Sequence, residues 1–155
     1  MTQNFYDADH EAFREVVRDF VARDVVPNLD TWEENRETGR EVWKSAGALG
    51  ILGLRFPEEF GGGGITDFTY SMVIAEETSA AGVTFGSYSV HSNLILPYLL
   101  EHATDEQKRR WLPGFCSGDI MFAIAMTEPG TGSDLANIST TAKLSEDGSH
   151  YVLDG

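Results

Sequence analysis

The sequence predicts a mainly α-helical domain followed by the opening strands of a β-domain, and three observations support that fold class. Apolar residues recur with the helical period along the first two-thirds of the 155-residue chain. After Gly118 the apolar runs become short and strand-like. Asp147 and Gly148, a hairpin-forming pair, then separate two such runs. We therefore expect a helical domain at residues 1–118 and the beginning of a β-domain at residues 119–155.

The first helix is predicted in the segment DADHEAFREVVRDFVARDVVP. Its apolar residues recur at i, i+3, i+4, i+7 and i+8, which places them on one face: Phe13, Val16, Val17, Phe20 and Val21. Asp7 or Asp9 can cap its start, and Pro27 is expected to bend or end it. A second, shorter helix fits REVWKSAGALG and should close at Gly47 or Gly50.

Three further helices follow a glycine-rich break. Pro57 and the four consecutive glycines at 61–64 exclude a regular element there. Thr66 is expected to cap a helix over DFTYSMVIAEETSAA that ends at Gly82. A largely buried helix is predicted from Leu94 onward. The TDEQ segment has the spacing of a capping box and opens the helix DEQKRRWL, which the proline at position 113 should interrupt.

The last part of the chain has the pattern of short strands. Residues 120–126 form an apolar run that we predict to be a buried strand. The segments STTAKL and HYVL are predicted to pair as a hairpin around SEDGS. So small a sheet needs something to cover it. We therefore expect the chain to be the front of a longer protein.

Charge and composition narrow the classes of function. The chain carries 25 acidic against 11 basic residues, a net charge of −14, so we expect it to bind neither nucleic acid nor acidic lipid. No run reaches the roughly 18 apolar residues of a membrane span, and the N-terminus lacks the features of a signal or transit peptide. The single cysteine, Cys116, fits a reducing compartment and is expected to be a small buried hydrophobe. We expect a cytoplasmic protein.

Most motif searches give no site. The glycine run lacks the Gly-Lys-Ser/Thr ending of a phosphate-binding loop. GTGSDL lacks the third glycine of a dinucleotide fingerprint and does not open a βαβ unit. The four histidines have no metal-ligand spacing, so no metal is expected: His10, His91, His102 and His150. What remains is MTEPGTGSD, where glycines, Thr and Ser could direct N–H and hydroxyl groups at an anionic ligand, or could form an ordinary surface turn.

MTEPGTGSD resembles the T-E-P-x-x-G-S-D signature of the acyl-CoA dehydrogenase family, and three more segments agree in order and spacing. GILGLRFPEEFGGGG is similar to G-x-L-G-x-x-x-P-E-E-Y-G-G-x-G, with Phe60 at the Tyr position. AEETSAAG falls where the family has E-E-L. TDEQKRRWLP and the following SGD resemble T-E-E-Q-K-x-x-Y-L-P-x-x-x-x-G-E, with Trp111 in place of Tyr. The matches run from about Gly47 to the last residue, and the small departures include Thr131 where Ala is common.

The resemblance implies a fold and a cofactor. Family members have a helical N-terminal domain, a β-barrel-like middle domain and a C-terminal four-helix domain, so this chain would stop before the helical bundle. FAD would lie between the last two domains. The residues implied in cofactor binding are Ile124, Met126, Thr127, Gly132 and Ser133.

The resemblance also implies a substrate site. Ser133 would contact the CoA side of an acyl-CoA, and the segment TFGSYSVHSNL would run along the acyl pocket. There the small residues Gly86, Ser87 and Val90 would leave room for a medium-to-long or branched acyl group. Alternatively, Phe85 and Tyr88 could fill that space.

The implied reaction is α,β-dehydrogenation of an acyl-CoA thioester. The family's catalytic base is a Glu of the C-terminal domain, so no catalytic residue is expected in this segment, and Glu128 is interpreted as structural. The implied electron acceptor is electron-transferring flavoprotein, and the implied assembly is a homo-oligomer, either a dimer or a homotetramer. Two alternatives stay open: a related acyl-CoA oxidase, and a non-catalytic partner subunit of a hetero-oligomeric enzyme.

Overall fold

The computed structural model describes residues 5–155. Residues 1–4 lie outside the described part of the chain. They belong to the N-terminal segment that was used to predict a cytoplasmic location. The described chain divides into two compact units, one up to Ala123 and one from Ile124. The domain boundary after residue 118, which was placed where the apolar pattern of the sequence changes, stays a prediction. The α-helices of the described residues are α1 (Ala8–Phe20), α2 (Leu29–Asn35), α3 (Arg40–Ala48), α4 (Thr69–Ala80), α5 (Ile95–His102) and α6 (Asp105–Ser117).

Helix α1 begins where the sequence predicts. The Asp7 carboxylate accepts hydrogen bonds from the backbone N–H groups of Asp9 and His10, at 3.0 and 3.1 Å, so Asp7 is the N-cap. After α1 the helical path continues as a π-helical turn at Val21–Val25 and a 3₁₀ turn at Val26–Asn28. Pro27 lies in that 3₁₀ turn, beyond the end of α1.

The ends of α3 and α4 depend on individual side chains and glycines. Gly50, at φ 76°, supplies the left-handed residue after α3, whereas Gly47 lies inside the helix. The predicted Thr66 cap of α4 is wrong, because the Asp67 carboxylate instead accepts the hydrogen bond from Thr69 N at 2.9 Å. An Asp side chain two residues before a backbone N–H reaches it readily. The predicted end is confirmed, since Gly82 follows α4 at φ 68°.

Helix α6 has the predicted start and an unpredicted length. Its capping box is present: Gln107 N donates to Thr104 Oγ1 at 3.2 Å, and Thr104 N donates to Gln107 Oε1 at 2.9 Å. The predicted interruption at Pro113 is wrong, because the helix continues to Ser117. A proline costs one helical hydrogen bond, but the last turn buries Phe115 and packs against α3, which holds it in helical form.

The helical unit contains an apolar core. Helix α1 packs on α4, and α3 packs on α6. Helix α5, which follows a π-helical turn at Val90–Leu94, buries Ile95, Leu96 and Leu99 but leaves Tyr98 exposed, so it is buried on one face. The central core residues are Val17, Phe20, Val21, Val25, Val42, Trp43, Ala46, Ile51, Leu52, Leu54, Ile74, Val83 and Phe85. No helix in residues 5–155 is both long and apolar enough to cross a bilayer.

The hairpin is confirmed and the preceding strand is not. Strands β1 (Thr141–Leu144) and β2 (Tyr151–Asp154) pair antiparallel. Gly148 has φ 69° in the turn between them, as the sequence indicates. Residues 120–126, by contrast, form no strand. A strand needs a neighbour to complete its hydrogen-bond ladder, and no described segment pairs with this one.

Candidate functional site

The segment MTEPGTGSD leads into a closed loop, residues 128–140. At its start, Glu128 N donates to Thr131 O and Thr131 N donates to Glu128 O, both at 3.0 Å. Thr131 is buried, and its hydroxyl donates to Asn137 O at 2.9 Å. Asn137 N in turn donates to Asp134 O at 3.1 Å. These contacts fix the path of the backbone between Thr131 and Asn137.

The Glu128 side chain ties the beginning of this loop to its end. Its Oε2 accepts hydrogen bonds from Ser139 N at 2.9 Å and from Ser139 Oγ at 2.6 Å. Its Oε1 accepts from Thr140 N at 2.9 Å and from the Thr140 hydroxyl. Hydrogen bonds from the Ser139 and Thr140 hydroxyls and backbone lower the pKa of Glu128 to about 2. A general base needs a pKa near the working pH, so this carboxylate is suited to a structural role.

Donor groups of the loop remain open to a ligand. Thr127, Gly132 and Ser133 are exposed, and a Cβ added at Gly132 would meet nothing within 4 Å. Within residues 5–155, the Thr127 and Ser133 hydroxyls and the Gly132 and Ser133 N–H groups have no protein partner. Open N–H and hydroxyl groups on a fixed backbone suit anionic oxygens. The loop therefore offers donors that suit the anionic oxygens of a ligand.

Two apolar residues precede these donors. Ile124 and Met126 are half-buried in the second unit, and they alternate with the exposed Ala125 and Thr127. The five residues implied in cofactor binding thus lie within residues 124–133, with apolar side chains before the polar ones. Their contact with a cofactor stays a prediction.

In the helical unit, part of the predicted acyl site lines a groove of about 360 Å³. Gly86 and Ser87 contribute to it, whereas Val90 does not. A second groove of about 230 Å³ also has Gly86 in its lining. The full lining of the larger groove is Glu37, Thr38, Arg40, Trp43, Gly86, Ser87 and Met121.

The backbone conformation at position 86 requires glycine. It has φ 58°, a left-handed conformation that L-residues rarely adopt. A Cβ there would lie 3.0 Å from Trp43 Cζ2 and 3.2 Å from Thr38 Oγ1. Phe85 points away into the core, where its ring centroid is 5.2 Å from that of Phe20. Phe85 therefore does not fill the groove.

Several groove and loop residues gave no signal in the sequence. Thr38 and Met121 belong to no motif, and only the packing of α3 against the segment around Gly86 brings the first of them to the groove. Ser139 lies in the segment STTAKL, which the sequence predicts to be a strand. In the structure it precedes β1, and its hydroxyl donates a hydrogen bond to Glu128. The only sign in the sequence that this segment could donate to a carboxylate is the run of hydroxyl residues in NISTT.

Two of the four histidines and the cysteine take structural positions. His91 is fully buried and stacks on Phe115 with ring centroids 3.6 Å apart, and burial lowers its pKa to about 4. His10 belongs to the α1 capping box. Cys116 is 6% exposed, which confirms it as a buried residue, and burial raises the pKa of its thiol to about 11. Among the described residues, no cluster of His, Cys, Asp or Glu is placed to hold a metal ion.

Known proteins share this sequence and fold. The family model described as "Acyl-CoA dehydrogenase, N-terminal domain" matches residues 7–119. The mouse mitochondrial long-chain specific acyl-CoA dehydrogenase is 39% identical over 153 residues, which are 99% of this chain and 35% of that protein. The chain therefore spans about a third of this curated relative.

Two solved structures show the same architecture over nearly the whole chain. An acyl-CoA dehydrogenase from Geobacillus kaustophilus superposes with a TM-score of 0.89 at 38% identity, covering 99% of this chain and 40% of that one. An acyl-CoA dehydrogenase from Bacillus anthracis, complexed with FAD, superposes with a TM-score of 0.88 at 36% identity, covering 100% of this chain and 26% of that one. The likeness extends through the loop at 128–140 and the hairpin.

Proposed function

The chain belongs to the acyl-CoA dehydrogenase family, and on that premise we propose that it is the N-terminal part of an FAD-dependent enzyme that forms an α,β double bond in an acyl-CoA thioester. The observation that carries the proposal is the loop at 128–140. It combines the family's signature with a fixed backbone and with donor groups that no acceptor within residues 5–155 uses. Related flavoproteins with FAD bound share its fold.

Each open group has a proposed role toward the cofactor. The Thr127 hydroxyl binds the pyrimidine edge of the flavin ring, and Ile124 and Met126 supply apolar cover. Gly132 and Ser133 donate to the ribityl-pyrophosphate, and Ser133 also meets the CoA side of the substrate. FAD, when bound, supplies an acceptor for the hydride that leaves the β carbon.

The catalytic base is proposed to lie outside this chain. The α proton of a thioester is weakly acidic, so its removal requires a base whose pKa is near the working pH. Glu128 is already the acceptor of four hydrogen bonds and has a pKa of about 2. We place the base in the larger part of the relatives' length that this chain does not cover.

A medium-to-long or branched acyl group is the proposed substrate. Gly86 and Ser87 leave a groove of about 360 Å³ open in the helical unit, and each methylene buried in such a groove contributes about 0.8 kcal/mol. The name of the mouse relative, which describes a long-chain specific enzyme, agrees with this choice.

The electron acceptor and the assembly are proposed from the family, and the location is proposed from the composition of the chain and its single cysteine. We propose electron-transferring flavoprotein as the acceptor and a homo-oligomer, dimer or tetramer, as the assembly. The location is proposed to be cytoplasmic.

The test uses the full-length protein. It should purify yellow, with flavin absorbance near about 450 nm, and an added acyl-CoA should bleach that band without oxygen. Ser133→Ala should weaken FAD binding by about three- to tenfold, the effect of one lost hydrogen bond. Ser89→Ala, at an exposed serine of the helical unit, is the matched control. Colourless protein that takes up no FAD would favour the partner-subunit alternative, and rapid oxygen consumption would favour the oxidase.

A further inference from the structure

The Glu128 carboxylate is saturated with donors. A carboxylate offers about four lone-pair sites, and four hydrogen bonds from Ser139 and Thr140 use them. Two of the four donors are backbone N–H groups, one on each carboxylate oxygen. Because a backbone N–H cannot become an acceptor, both oxygens must accept at once. A carboxylate meets that demand, whereas a side-chain amide has only one accepting atom.

The same side chain closes the loop that carries the open donors. Glu128 and Thr131 exchange two backbone hydrogen bonds at the start of the loop, and the carboxylate holds its far end at Ser139 and Thr140. Gly132 and Ser133 lie between these two attachments. A ligand that binds an already ordered loop does not bear the entropy of ordering it.

We propose that Glu128 is a positioning residue for FAD: its carboxylate fixes the loop at 128–140 so that the donors of Gly132 and Ser133 are preorganised for the cofactor. This inference rests on the proposed function, since it takes FAD as the ligand. It assigns Glu128 no proton transfer and no contact with substrate.

The decisive variant is Glu128→Gln in the full-length protein. Glutamine keeps the length and one acceptor oxygen but places an NH₂ donor against either Ser139 N–H or Thr140 N–H. We expect FAD binding, measured by flavin fluorescence on the apoprotein, to weaken by about tenfold or more. Thr140→Val, which removes one hydroxyl and keeps the backbone N–H, should weaken it less. Glu146→Gln is the charge-matched control, because Glu146 is exposed in the hairpin turn.

Two further measurements separate positioning from general stability. Hydrogen–deuterium exchange of the apoprotein should show faster exchange at the Ser139 and Thr140 amides in Glu128→Gln and not in Glu146→Gln. At saturating FAD, the visible circular dichroism of the bound flavin should change in Glu128→Gln, whereas the melting temperature of the apoprotein should change by only a few degrees.

The possible outcomes divide clearly. Three results would each overturn the positioning role and leave the proposed function intact. The first is an FAD affinity of Glu128→Gln within twofold of the parent, and the second is unchanged amide exchange. The third is an unchanged flavin spectrum together with a large loss of apoprotein stability. A parent protein that takes up no FAD would instead refute the proposed function. In that case the exchange experiment still decides whether Glu128 orders the loop.

Discussion

Replacing Ser87 with leucine tests whether the groove beside Gly86 receives the acyl chain. Ser87 is exposed and lines the groove of about 360 Å³. Gly86 is the poorer site for a bulky change, because its φ of 58° and the 3.0 Å approach to Trp43 would add backbone strain and overlap. Val90 does not line the groove. Ser87→Leu therefore changes the room for a ligand with the least disturbance of the fold.

The size of the effect follows from the volume that leucine occupies. Leucine has about two more non-hydrogen side-chain atoms than serine, so it should displace about two methylenes of an acyl chain. At about 0.8 kcal/mol for each buried methylene, the loss is about 1.6 kcal/mol of binding for the longest chains. That loss corresponds to about fifteenfold in kcat/KM. Shorter chains, which do not reach the leucine, should react as in the parent.

The assay is a series of straight-chain acyl-CoA substrates of increasing length, each with Ser87→Leu, Ser89→Leu and the parent. Ser89 is also exposed but does not line the groove, so Ser89→Leu controls for the added surface. The optimum should move to shorter chains in Ser87→Leu alone. A parent that prefers the shortest chain, or an equal shift in both variants, would refute the assignment of this groove.

Three further predictions concern the helical unit. Gly118→Ala should lower the unfolding free energy measured in urea by about 3 kcal/mol, because its Cβ would lie 2.3 Å from Trp43 O and its φ is 80°. Gly50→Ala, at φ 76° with nothing within 4 Å of the added Cβ, should lower it by about 1 kcal/mol. Equal losses in the two variants would contradict the packing around Gly118. Cys116, whose pKa burial raises to about 11, should react with iodoacetamide at about pH 8 only after denaturation, and rapid labelling of the native protein would contradict its burial. Burial lowers the pKa of His91 from 6.5 to about 4, so between these values the folded protein binds fewer protons than the unfolded chain and stability falls as pH drops. Replacing His91 with Phe should flatten that part of the stability curve, and an unchanged slope would show that His91 is not the group responsible.

Local rules predicted the ends of elements well where one side chain meets one backbone group. Asp7 caps α1, and Thr104 with Gln107 caps α6, because each capping group lies within three residues of its partner. The rules failed where a neighbour within reach competes or where packing opposes them. At the start of α4, Asp67 accepts the hydrogen bond that was predicted for Thr66. Helix α6 continues beyond Pro113, where its last turn buries Phe115.

By itself, the sequence determined the order of five of the six α-helices of the described residues, the hairpin, the family and the segment that carries the family's signature, whereas α2 was not predicted. Those features depend on residue spacing along the chain, which is visible without coordinates. Only the tertiary structure decided that Gly86 meets Trp43 and Thr38 in a groove, that Val90 lies apart from it, and that Glu128 is held by Ser139 and Thr140. Such contacts join residues far apart in the chain, and which distant groups meet depends on how the packed elements place them, a choice that no local pattern of residues encodes.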